Sequence, residues 1–117
     1  MKLEPMPAIT ASQLTLYITE GRPPSDFIMA VLQDKLVESF NRADDENSKA
    51  MLTIAYFLYQ HVPLVLRGET FKVQKHITLM NRELINMNTT EEKDILEYRA
   101  RYSRWKWPES VPVAEIE

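Results

Sequence analysis

Cysteine is absent from the 117-residue chain, and glycine occurs only twice, at Gly21 and Gly68. The first absence excludes disulfide staples, thiolate zinc sites, iron–sulfur clusters and thiol nucleophiles, and it favours a reducing compartment. The second argues against a β-sandwich or barrel, which needs glycine-rich turns roughly every 8–12 residues. Neither G-x-G-x-x-G nor G-x-x-x-x-G-K can be written with these two glycines, so glycine-rich phosphate loops are excluded too. There is no G-x-S-x-G elbow for a serine nucleophile. No apolar run approaches the roughly 20 residues of a membrane span, and Met1-Lys2-Leu3-Glu4-Pro5 lacks the apolar core of an export signal. A cytoplasmic protein without membrane association is expected.

What is present is a globular composition, 44% hydrophobic and 26% charged. A chain of this length makes about one domain and buries around two-thirds of its unfolded surface. Net charge is −3, unevenly spread. Residues 1–60 carry five Lys/Arg against eight Asp/Glu, and residues 61–117 carry nine of each. Within 99–107, Arg99, Arg101, Arg104 and Lys106 stand without an acid.

The apolar spacing is helical throughout. Residues 1–9, with Pro5 and Pro7, read as an arm. Thr10 or Ser12 caps a first helix carrying Leu14, Tyr17 and Ile18 on one face, stopped at Gly21 and Pro23-Pro24. Ser25 opens a second apolar face through Phe27, Ile28, Val31 and Leu32, continued by Leu36, Val37 and Phe40 as one helix or two. Asp44 or Asp45 caps a helix to about His61 that is apolar almost all round, the mark of a central element. Leu64–Leu66 reads as a short extended piece. A helix from about Thr70 carries Phe71, Val73, Ile77, Met80 and Leu84. Thr89 with Glu92 fits a capping box before a final helix holding Ile95, Leu96, Tyr98, Tyr102 and Trp105. The expectation is an all-α fold, a compact bundle of about five helices with an extended N-terminal arm and C-terminal tail. Residues 10–107 form a single helical domain, and 108–117, with Pro108 and Pro112, form the tail.

Few residues carry chemistry. His61 and His76 are fifteen residues apart, not at the i, i+4 spacing of a helical metal pair, and read as a helix-end and a surface histidine. The acidic run Asp44-Asp45-Glu46, near Asp34 and Glu38, lacks the turning glycine of a calcium loop and reads as a solvated cap. No metal or cofactor is expected, and no catalysis. The distinctive feature is the interleaving of cations and aromatics from Tyr98 to Trp107. Tyr98, Arg99, Arg101, Tyr102, Arg104, Trp105, Lys106 and Trp107 together form a candidate partner-binding surface. Arg, Tyr and Trp dominate protein hot spots, and cations with aromatic faces also suit nucleic acid. The plainer reading is a terminal helix whose aromatics pack on the domain while its cations face water.

From Leu14 to Pro63 the sequence resembles a group of small bacteriophage-encoded proteins. The resemblance is carried by Tyr17-Ile18-Thr19-Glu20-Gly21-Arg22-Pro23-Pro24, Phe27, Ala30-Val31-Leu32, Arg42-Ala43-Asp44-Asp45-Glu46-Asn47, Phe57-Leu58-Tyr59 and Pro63. Asp34-Lys35-Leu36 replaces the group's Asn-Asp-Leu, and Arg67-Gly68-Glu69-Thr70 replaces its Trp-Gly-Ser-Pro-like turn. The resemblance implies a helical domain of phage origin and brings no activity. On it, 10–63 is the phage-like core and 69–107 the added C-terminal helices. Gly21, Pro23, Pro24, Asp44 and Asn47 have structural readings as caps and corners. The function expected is that of a phage accessory protein in the host cytoplasm, binding and inhibiting a host protein through its basic-aromatic helix. The alternatives are a nucleic-acid-binding regulator and a structural or self-associating protein, a homodimer joined through Met51–Tyr59 or the final helix.

Overall fold

The computed structural model describes residues 2–86 and 88–115. Among them lie seven α-helices, one 3-10 turn and no strand, so the all-α class holds while the helix count rises from about five to seven. The first helix, α1 (Ala8–Glu20), starts at Pro7 rather than at the expected Thr10 or Ser12. The Pro7 carbonyl accepts from the Ala11 amide, and the Thr10 hydroxyl is engaged elsewhere, by Asn47 Oδ1 at 2.6 Å. α1 ends as the sequence requires, with Gly21 at φ 67°. A Cβ at Gly21 would also collide with the Met80 side chain, so the position is closed to other residues on two counts.

Pro23-Pro24 make the corner into α2 (Asp26–Leu32), which Ser25 caps through the Ile28 amide. α2 and α3 (Leu36–Arg42) are two helices, which settles the choice between one and two. The break is a C-terminal capping turn in which Asp34 takes φ 61°. The Lys35 amide reaches back to Ala30 O and the Asp34 amide to Val31 O, satisfying carbonyls that the helix end leaves open.

Asp44 accepts from the Asn47 amide and opens α4 (Asp45–Lys49). A kink at Ala50 separates α4 from α5 (Met51–His61), where one continuous helix was expected. α5 is not enclosed on all sides. Thr53, Ile54, Phe57 and Leu58 are buried, while Leu52 and Tyr59 are 57% and 76% exposed. Leu64–Leu66 is a 3-10 turn instead of an extended piece, and its last residue is buried.

α6 (Thr70–Asn81) buries a stripe of Val73, His76, Ile77 and Met80, at i, i+3, i+4 and i+7. Phe71 faces solvent, and Leu84 lies beyond the helix end. α7 (Thr90–Ser103) is capped by Thr89, whose hydroxyl accepts from the Glu92 amide. The reciprocal half of the capping box is not made, because the Glu92 carboxylate accepts from the Ile85 amide at 3.1 Å. Trp105 lies past the end of α7.

Arm and tail are extended but fastened. Met6 is fully buried, and its amide and carbonyl bond to Pro112 O and Ala114 N in a parallel bridge with Val113. Glu4 O accepts from the Thr53 hydroxyl, and Val111 is buried. The core therefore joins α1, α2, α5, α6 and α7 with both extended segments around Tyr17, Phe57, Leu14 and Ile54. The molecule is elongated, 48 × 28 × 25 Å, with a radius of gyration of 15.1 Å against the roughly 13 Å usual for this length.

Candidate functional site

The basic-aromatic segment separates into two sets of residues with different commitments. The Tyr98 hydroxyl donates to His76 Nδ1 at 2.8 Å, and the buried Tyr102 ring meets His76 edge-on. Trp107 stacks on Phe57 with ring centroids 4.4 Å apart and donates from Nε1 to Val111 O. Trp105 packs edge-on to both Phe57 and Trp107. Arg99 donates from Nε to Leu79 O at 2.7 Å and from a terminal nitrogen to Arg82 O, closing off the end of α6. These five residues are occupied by the fold. Arg101, Arg104 and Lys106 alone are exposed. The segment has no row of free aromatic faces.

His76, expected at the surface, is 1% exposed. Its Nε2 lies 2.9 Å from Tyr17 O and 3.1 Å from Ile18 O. Carbonyls only accept, so Nε2 carries the proton and Nδ1 receives the Tyr98 hydroxyl. The ring thus caps the end of α1, bonding Ile18 O and sharing Tyr17 O with the Gly21 amide, and Asn81 Nδ2 adds a bond to Gly21 O at 2.8 Å. Burial lowers the His76 pKa, outweighing the two carbonyl contacts that raise it. Burial likewise pushes the Tyr98 hydroxyl up to about 12, with Tyr102 adding to the shift. Tyr17 is raised further by the same cause, with a contribution from Tyr98, and its hydroxyl donates to Leu66 O.

Asp44 caps a backbone amide at a helix start, whereas the Asn47 side chain bonds other side chains. Asp44 Oδ1 accepts from the Asn47 backbone and side-chain amides, and Asn47 Oδ1 holds Thr10. A cleft of about 690 Å³ beside them has Ile9, Phe27 and Ile28 in its lining together with charges of both signs, Asp26, Arg42, Asp44 and Glu46. Arg42 is paired there with Asp26 and Glu38. Among the described residues no group of three or more His, Asp or Glu side chains could hold a metal ion.

A different surface emerges between the α2–α3 corner and α5. Here a groove of about 220 Å³ is floored by the buried Leu32, Ile54 and Leu58. Its walls include Leu36 and Ser39 of α3, Met51, Ala55 and Tyr59 of α5, and Arg67 and Gly68 beyond the 3-10 turn. The Arg67 guanidinium lies 5.9 Å from the centre of the Tyr59 ring. Large apolar groups of α3 stand exposed to solvent, Leu36 in the groove wall and Val37 and Phe40 on the same helix. Leu36 is 66% exposed, Val37 74% and Phe40 51%. On α5, Leu52 is in line with Ala55 and Tyr59 at i, i+3 and i+7.

Sequence reasoning read Leu36, Val37 and Phe40 as the continuation of an apolar face, and offered Met51–Tyr59 both as a central helix and as a self-association contact. The signal for this surface is the apolar circumference of α5 itself. A helix apolar all round needs neighbours on every side, and so short a chain supplies them on one.

Comparison with protein-family models, with curated proteins and with solved structures returns no match.

Proposed function

We propose that this chain is a non-catalytic binding protein that works through protein–protein contact, with the apolar groove between α3 and α5 as its principal docking surface. The observation that carries this reading is the exposure of Leu36 and Tyr59 in the walls of a groove with a buried apolar floor, with Val37, Phe40 and Leu52 also exposed on the same two helices. Contiguous apolar patches beyond a few hundred Å² are rare on monomers and mark contact sites. The exposed cations Arg101, Arg104 and Lys106 provide a second surface of the charged, more polar kind that suits a transient acidic partner. The resemblance of residues 14–63 to bacteriophage proteins supports reading that transient partner as a host protein, bound and inhibited in the host cytoplasm.

Nucleic acid is the weaker reading. Stacking platforms need exposed aromatic faces, and Tyr98, Tyr102, Trp105 and Trp107 are turned to His76, Phe57 and the tail.

The test is affinity capture from host lysate with nuclease present. The same capture is run with Tyr59→Asp and with Arg101→Glu/Arg104→Glu proteins that keep the native circular dichroism. Loss of a specific partner in one variant assigns it to that surface. A partner retained at full yield by both variants, or lost on nuclease treatment, would overturn this reading.

A further inference from the structure

The groove and the exposed apolar stripe of α3 meet at Leu36, so one face offers both a recess and a projection. We infer that the α3–α5 face is occupied by the same face of a second copy of the chain, giving a two-fold dimer in which Phe40 of each protomer seats in the groove of the other. The inference rests on the reading of this face as a protein-docking surface and adds the identity of what docks.

Four observations converge on a second copy. First, a two-fold interface requires one patch to offer both a recess and a projection. The groove walled by Leu36 and Tyr59 is the recess, and the α3 stripe Leu36, Val37 and Phe40 is the projection. Second, the sizes agree. Apolar cavities of about 150 Å³ accept a benzene ring, and this groove measures about 220 Å³, enough for the phenyl ring of Phe40. Third, both helices that wall the groove carry uncovered apolar side chains, with Leu36, Val37 and Phe40 on α3 and Leu52 and Tyr59 on α5 each more than half exposed. Fourth, the rim carries both signs, with Asp34, Lys35 and Arg67 all in the lining. A two-fold operation can place acid opposite base there, whereas a rim of one sign would repel its own copy. Lasting self-contacts are also the more apolar class of interface, as this face is.

The experiment is light scattering coupled to size exclusion over a concentration series from about 1 to 200 μM, with sedimentation velocity as a second measure. The expected mass for the wild type is twice the 13.7 kDa of the chain. Phe40→Asp and Leu36→Asp should each move the species to the single-chain mass, or weaken dimerisation at least 100-fold, with unchanged helical circular dichroism. Both side chains face solvent, so folding does not depend on them. Ile85→Asp, an equally exposed apolar site away from the groove, should leave the dimer intact. A wild type that is monomeric across the series overturns the second copy as occupant. In that case lysate capture by wild type but not by Tyr59→Asp still upholds the docking surface. A dimer that survives both α3 substitutions, or that Ile85→Asp also dissociates, overturns the placement.

Discussion

Single residues set the helix ends, and two of them make opposite predictions. Gly21 combines a left-handed backbone with contact against Met80, so Gly21→Ala pays for both strain and overlap. Urea unfolding should give a loss of about 2–4 kcal/mol. Asp34 has the same backbone sign without glycine's freedom. Asp34→Gly should therefore stabilise by about 0.5–1 kcal/mol, read as a higher urea midpoint at unchanged slope. His76 contributes a pH dependence. Its folded pKa lies below that of the unfolded chain, near 6.5, because burial disfavours the imidazolium. Below that pH the unfolded state binds more protons, so stability is full above about pH 6.5. It should then fall on acidification until the folded pKa is passed. His76→Gln should flatten this segment of the stability–pH curve, and a wild-type curve already flat between pH 7 and 5 would refute the assignment.

At the scale of the element, caps and corners were legible in the sequence, whereas the faces of helices were not. Gly21, Ser25, Asp44 and Thr89 end or begin helices because their local chemistry depends on near neighbours. Thr89→Ala should cost about 1 kcal/mol for that reason, measured by thermal unfolding. Which face turns inward depends on distant partners. Periodicity alone put Phe71 on the buried side of α6 and His76 outside. The order is reversed because the end of α1 presents carbonyls, Ile18 O and the shared Tyr17 O, that a ring N–H bonds and a phenyl ring does not. The same limit applies to the candidate site. The aromatic half of the Tyr98–Trp107 segment reads as a hot spot in sequence, yet Phe57 and His76, far away in the chain, absorb it. The docking groove was hidden because its residues have the composition of a core, and only the absence of a covering element distinguishes the two.

At the scale of the whole molecule, α3 and α5 leave Leu36, Val37, Phe40, Leu52 and Tyr59 uncovered, and stability is the measure of whether a second copy covers them. With the α3–α5 face paired, the thermal midpoint should rise with protein concentration, because mass action favours a folded dimer over two unfolded chains. A midpoint independent of concentration over two decades would contradict the paired state. The bridge between residues 6 and 113 has a different consequence. Pro112 O accepts from the Met6 amide and the Ala114 amide donates to Met6 O, so the arm is held in place by the tail. A single proteolytic cut in the tail before residue 111 should therefore loosen the arm as well, and the two segments should become protease-sensitive together.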